Sequence, residues 1–401
     1  MKANFRNYYR SYSKYSNSNN YKNNKFNNDY KKEKFIKFND SEEKLKHIST
    51  IIENNNKQIS NITPWNETYY FTAYKNEFIF RTIGQDNSSD KGNLPENCII
   101  RKAIFFNDKI IMLVENIDIN GNNDKVNTYY LIVMKKINNK FQFFYCKINS
   151  EPYDMIEDSN YIIISGNNLI SIFYFDQSNN GQIAKITEII LNQNNNNDNN
   201  DIFKALCIEK TDQSIICGHS LGYISKWVRI ENNPFIENSK ASRIHLDSIN
   251  KILYDINNDN IKVIISCSSD KTLKVHTLDD FVCLKILNFT EEVTDLKKVN
   301  NHDNQTNYFV NLKNSNLILY DSEFNNKLLE IYNNSKINRN FICLSSNDNI
   351  NNNNNNNINR KRIYVLITEE NKIEIYEWIK QDKNNDNDKT KKKYANKRNG
   401  F

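Results

Sequence analysis

The 401-residue sequence predicts an all-β chain built as a ring of repeated four-stranded sheets, a β-propeller. Three observations point there. Strand-forming residues are abundant, with 23 Tyr and 22 Phe against 8 Gly and 4 Pro. Alternating hairpins recur in one register. They recur at intervals near the 40 to 45 residues of a propeller blade once Asn-rich insertions are set aside.

Five segments carry the repeat: "YIIISGNNLISIFYFD" (161–176), "SIICGHSLGYISKWVR" (214–229), "VIISCSSDKTLKVHTL" (263–278), "NYFVNLKNSNLILYDS" (307–322) and "YVLITEENKIEIYEW" (364–378). Each is an apolar strand, a polar turn and a second alternating strand, which is the pattern of a hairpin. In each, an aromatic residue or His stands ten positions after a fixed point of the first strand, as Ser165 to Phe175, Cys217 to Trp227, Ser266 to His276, Val310 to Tyr320 and Leu366 to Tyr376. The second members lie 52, 49, 44 and 56 residues apart. Removing "NQNNNNDNN" (192–200) and the asparagines 351–357 shortens the first and last intervals to 43 and 49. Period-2 alternation argues against helical repeats of similar length.

These segments resemble the repeats of the WD40 family. The nearest is 245–288, where "ISCSSDKTLKVHT" is similar to the family's Ser-Gly-Ser-x-Asp-x-Thr-Ile-x-Val-Trp-Asp, and His245 stands where the family places the His of its Gly-His pair. The resemblance implies that His245, Ser266 and Asp270 join the residue at 276 in a buried hydrogen-bond network that braces the blade. Here that residue is His276, with Thr277 in place of the acid. The best match to the family's Trp is Trp227, followed by Val228.

Upstream, "TYYFTAYKNEFIFRTI" (68–83) is a further hairpin, and "KIIMLVENI", "NTYYLIVMKK" and "KFQFFYCKI" (109–147) supply three more strands. Residues 65–379 divide into seven units of 45, so seven blades are expected, with six or eight as alternatives. After Trp378 the chain turns hydrophilic, leaving the last blade without an outer strand. In the WD40 family an N-terminal strand commonly completes that blade; "KHISTII" (46–52) is the candidate, and "KFIKF" (34–38) the second choice. The shortage of Gly suggests that Asn takes the positive-φ turn positions, as at "GNN", "KNSN" and "EENK".

Outside the body, residues 1–45 form an Asn/Tyr-rich basic tail and residues 381–401 a second basic tail. Both lack periodicity and aliphatic surface and are expected to be disordered, with the propeller over 46–380. The net charge of +6 conceals an asymmetry: residues 1–39 carry +8 and 389–398 carry +6, which leaves −8 elsewhere. Seven scattered cysteines with no CxxC pair argue against a zinc site and a disulfide scaffold. Without a signal-peptide pattern or an apolar run of membrane-spanning length, an intracellular protein, cytoplasmic or nuclear, is expected.

His245, Ser266 and Asp270 are the residue types of a nucleophilic triad, but a triad needs an exposed serine and an oxyanion hole that this spacing does not supply. A structural brace fits better. His219 has no clustered partner in sequence and is expected to be a packed or loop histidine. Nucleotide-binding, zinc-protease and EF-hand motifs are absent, and "FRTIG" (80–84) has one arginine where phosphoinositide-binding propellers have a pair. No cofactor, metal or enzymatic activity is expected. What the family resemblance implies is a noncatalytic scaffold binding other proteins within a complex. The alternative is a nuclear RNA-associated factor, in which Lys391, Lys392, Lys393, Lys397 and Arg398 serve as an import signal or phosphate contact and the N-terminal tyrosines stack on bases.

Overall fold

The computed structural model describes residues 35–38, 43–52, 58–83, 90–106, 109–119, 125–137, 140–167, 169–175, 183–190, 204–229, 236–314, 316–332, 340–351, 357–369 and 371–380. Two N-terminal strands, β1 (Phe35–Lys37) and β2 (Glu43–Ile52), precede the blades. Blade 1 holds β3 (Asn61–Pro64), β4 (Tyr69–Tyr74), β5 (Glu77–Thr82) and β6 (Asp90–Asn93); blade 2 holds β7 (Cys98–Phe106), β8 (Lys109–Ile119), β9 (Lys125–Ile137) and β10 (Lys140–Ile148). Blade 3 holds β11 (Pro152–Asp158), β12 (Tyr161–Gly166), β13 (Leu169–Phe175) and β14 (Ile183–Ile190); blade 4 holds β15 (Ala205–Lys210), β16 (Ser214–His219), β17 (Tyr223–Arg229) and β18 (Ile236–Arg243). Blade 5 holds β19 (Ile249–Ile256), β20 (Lys262–Ser268), β21 (Thr272–Thr277) and β22 (Cys283–Asn288); blade 6 holds β23 (Val293–Asn300), β24 (Thr306–Leu312), β25 (Leu317–Tyr320) and β26 (Lys327–Ile331). Blade 7 is made of β27 (Phe341–Asn351), β28 (Asn357–Glu369) and β29 (Lys372–Lys380), completed by β2. Every pairing is antiparallel, and the five repeated hairpins are the two middle strands of blades 3 to 7.

Apolar alternation places one set of side chains on each face of a blade, and each face packs on the neighbouring blade. The core is accordingly a series of layers between blades. Phe71 and Phe78 of blade 1 meet Ile100 and Met112 of blade 2. At the far side Ile62 and Tyr70 of blade 1 meet Ile342 and Leu366 of blade 7, so the ring closes on itself.

Closure uses the N-terminal chain. β2 pairs with β29 along its whole length, from Glu43 opposite Lys380 to Ile52 opposite Lys372. It thus includes the expected 46–52 segment and begins three residues earlier. The second-choice segment is also a strand: β1 pairs with β2 as a fifth strand, in the order β1-β2-β29-β28-β27. Strand pairing therefore starts at Phe35, ahead of residue 46. Leu45 is fully buried, and the Phe38 ring lies 4.9 Å from that of Trp378. Burial of each such side chain contributes about 1.5–3 kcal/mol.

Among the described residues, positive φ falls on Asn260 and Asn304 but also on Lys75, Ser159, Lys271, Phe281 and Phe324. Asparagine is therefore not the general substitute for glycine here. The turns "GNN", "KNSN" and "EENK" each contain a residue outside the described set. Tertiary pairing on both sides of a tight turn imposes the left-handed conformation on whatever residue stands there.

One irregularity recurs. In blades 2 to 6 the innermost strand carries a bulge near its start, between Ile100 and Lys102, Pro152 and Asp154, Ala205 and Cys207, Ile249 and Lys251, and Val293 and Asp295. A bulge re-aims the side chains that follow it. The residues just past it are Lys102, Asp154, Cys207, Lys251 and Asp295.

Candidate functional site: two blade braces and a charged axial channel

His245 sits in the connection between β18 and β19, from which it reaches into blade 5. Its Nδ1 lies 3.0 Å from Asp270 Oδ2 and its Nε2 2.9 Å from Ser266 Oγ. The Asp270 carboxylate also accepts from the Leu246 N–H at 3.0 Å, the Thr272 N–H at 3.0 Å and the Thr272 hydroxyl at 2.6 Å. Burial lowers the His245 pKa below its ordinary value despite the carboxylate, which favours the neutral ring. Nδ1–H then donates to Asp270, and the Ser266 hydroxyl donates to Nε2. Burial alone would raise the Asp270 carboxyl, but the Thr272 hydroxyl, the Leu246 amide and His245 together hold it below the usual range.

The connectivity is that of Ser, His and Asp in a hydrolytic triad. Ser266, however, has no exposed surface and His245 is 1% exposed, so no substrate reaches the hydroxyl. The set is a brace. Thr272, the Thr of the Asp-x-Thr in "SSDKT", belongs to it and was recognisable only through that short motif.

His276 and Trp227, grouped with the brace in the sequence, are placed otherwise. His276 is buried beside His245, its imidazole pushed down to about 4 by burial and then by electrostatic coupling to His245 and Lys274. Its Nδ1 has no hydrogen-bond partner among the described residues. Trp227 lies in blade 4 and donates its indole N–H to Ser225 Oγ at 2.9 Å. Ser225 Oγ is in turn 2.7 Å from His219 Nε2. His219, pushed to about 4 by burial, is neutral and accepts the serine proton. Blade 4 thus has a brace of its own, with His219 on β16 in place of a histidine in the preceding connection.

Toward the ring axis three of the residues past the bulges, Lys102, Asp154 and Lys251, meet. The Lys102 ammonium contacts Asp154 Oδ1, Lys251 Nζ is 3.3 Å from Asp154 Oδ2, and the Ile208 N–H donates to the same oxygen at 3.3 Å. One carboxylate of blade 3 therefore ties blades 2, 4 and 5. Lys297 pairs with Asp295 at 3.6 Å and reaches the Phe341 carbonyl of blade 7. Burial, then repulsion from Lys251 and Lys297, holds Lys102 well below the ordinary lysine range. Burial likewise pushes the Cys207 thiol up to about 12, so it is an unreactive packed group. Thr63, Lys102, Tyr153, Lys251, Asp295 and Lys297 line a channel cavity of about 710 Å³. Among the described residues no group of His, Cys, Asp and Glu is arranged to hold a metal ion, and no helix is long and apolar enough to cross a membrane. Lys391, Lys392, Lys393, Lys397 and Arg398 lie outside the described residues.

Seven blades of this kind, closed by an N-terminal strand, define a seven-bladed β-propeller fold. Solved structures share it. Sqt1 of Saccharomyces cerevisiae is 10% identical over 82% of this chain and 98% of that chain, with a TM-score of 0.57. The Pan2 WD40 domain of Neurospora crassa is 11% identical over 86% and 98%, with a TM-score of 0.55. Raptor of Chaetomium thermophilum is 13% identical and matches 85% of this chain, which spans 29% of that longer protein, at a TM-score of 0.55. At such identities the likeness is one of fold. No family model and no curated protein sequence matches the chain.

Proposed function

We propose that this protein is a noncatalytic scaffold that binds other proteins through the faces and edges of its propeller, inside the cell. The observation that carries the reading is the sealed state of the one catalytic-looking set found among the described residues. Ser266, His245 and Asp270 spend their hydrogen-bonding capacity on one another and on Thr272 and Leu246, out of reach of solvent. What remains available for recognition is the set of turns that several blades present together on a rigid frame. The fold likeness to WD40 structures supports the same reading by analogy.

Affinity purification of the full chain from its native cells, washed at high salt and analysed by mass spectrometry, tests it. Stoichiometric protein partners that survive the wash are the expected result. Recovery of nucleic acid alone, lost as salt rises, would instead support contact through the basic tails.

A further inference from the structure

The β19–β20 and β21–β22 turns leave the same end of blade 5, because its strands run as an antiparallel meander. That end exposes four aliphatic side chains, Ile256 (50%), Ile261 (41%), Val282 (55%) and Leu284 (46%). Beside them a groove of about 230 Å³ runs between blades 5 and 6. Ile261, Val263, Val275 and Leu284 line one side, and Tyr308 and Phe324 the other. The two aromatic rings stack at 4.6 Å, and the Tyr308 hydroxyl donates to the buried Asp255, so that wall is preformed. Lys285 is committed to the structure, donating to the Glu323 carbonyl and to Asn325 Oδ1, each at 2.6 Å. Asp259 and Glu323 line the groove against the single cation Lys285, which leaves its lining with one net negative charge.

Two other outer strands, β26 and β2, do not offer this. On β26, Leu329 and Ile331 are buried, and β2 is covered by β1. β22 is the last strand of its sheet, so one edge of its backbone is open to pairing. A volume of 230 Å³ falls below the roughly 300–1,000 Å³ of small-molecule sites, and suits one large side chain.

We infer that this groove docks an extended segment of a partner protein, which lays its backbone along β22, inserts one large apolar side chain between blades 5 and 6, and sets a Lys or Arg against Asp259 and Glu323. This rests on the scaffold reading and names the kind of partner.

A display library of random peptides, panned on the full chain and counter-selected on the Leu284→Asp variant, tests it. Leu284 is half exposed, so the variant should keep the wild-type melting temperature; Ile261→Asp provides a second disruption. Enriched peptides should carry Leu, Met, Phe or Trp with Lys or Arg close by. Their affinity, read by fluorescence anisotropy, should fall about tenfold or more with Leu284→Asp and several-fold with Asp259→Lys. Absence of enrichment, acidic peptides, or equal binding to both variants would overturn the proposal. So would a dimer in sedimentation that Leu284→Asp abolishes, since the occupant would then be a second copy. If the native partners of the wild-type chain are all retained by Leu284→Asp, the groove is refuted while the scaffold reading stands. If the wild-type chain has no protein partner, the scaffold reading itself falls.

Discussion

The brace around His245 is a buried polar network and the hub around Asp154 a channel-lining one whose two lysines are partly exposed, and they do different work. The brace lies within one blade: His245, Ser266, Asp270 and Thr272 span 28 residues of sequence and tie a loop, a strand and a turn of the same repeat. The hub joins Lys102, Asp154, Ile208 and Lys251, one from each of four blades. A repeat protein needs both kinds of bond, because no blade can bury its faces alone and neighbours must be held in phase. The difference teaches where each bond is written. A brace is written in a motif, and a hub in the register of separate strands.

The largest effect on a single side chain should come from the hub. Asp154→Ala leaves Lys102 and Lys251 without their shared carboxylate and should cost about 3 kcal/mol, read from urea denaturation. Adding Lys102→Met to that variant should recover part of the loss, because the stranded ammonium is gone. Unchanged stability of the single variant would mean that channel water replaces the hub.

Acid should act on two buried histidines instead. His219 and His276 titrate near 4 in the folded protein and near 6.5 unfolded, so the unfolded state binds more protons below pH 6.5. Stability is then full above that value and falls as the pH is lowered toward 4. From pH 7.5 to pH 5 the loss should be about 2 kcal/mol for each histidine. His276→Phe should flatten the profile of melting temperature over that range, and an unaltered profile would place the sensitivity elsewhere.

Ser266→Ala should cost about 1 kcal/mol, since it removes one neutral hydrogen bond and leaves His245 Nε2 without its donor. A loss as large as that of Asp154→Ala would erase the distinction between brace and hub. The smallest effect should be that of Leu284→Asp, within about 0.5 kcal/mol for an exposed side chain away from both networks.

The hairpins were legible because each pairs a continuous apolar strand with an alternating one across a polar turn, as Val263–Ser268 and Thr272–Thr277 do. The brace was legible through "SSDKT" and the His 25 residues before Asp270. Blade 4 misled by borrowing the Trp of the same motif while moving the histidine to β16, so that Trp227 is braced through Ser225 rather than through His245. The hub was illegible for a physical reason. A bulge shifts the alternation by one residue, so Lys102, Asp154 and Lys251 read from sequence as ordinary solvent-facing positions of an outward strand. Nothing local states that they meet on an axis.

Closure of the ring by β2 is the claim on which the rest depends, and thermal denaturation of two truncations tests it most directly. Removing residues 1–30 spares β1 and β2 and should leave the melting temperature as it is in the full chain. Removing residues 1–52 strips Phe38, Leu45 and the pairing with β29 from blade 7, and should lower it sharply or prevent folding. Equal melting of the two truncated proteins would contradict a ring closed by its N-terminal strand.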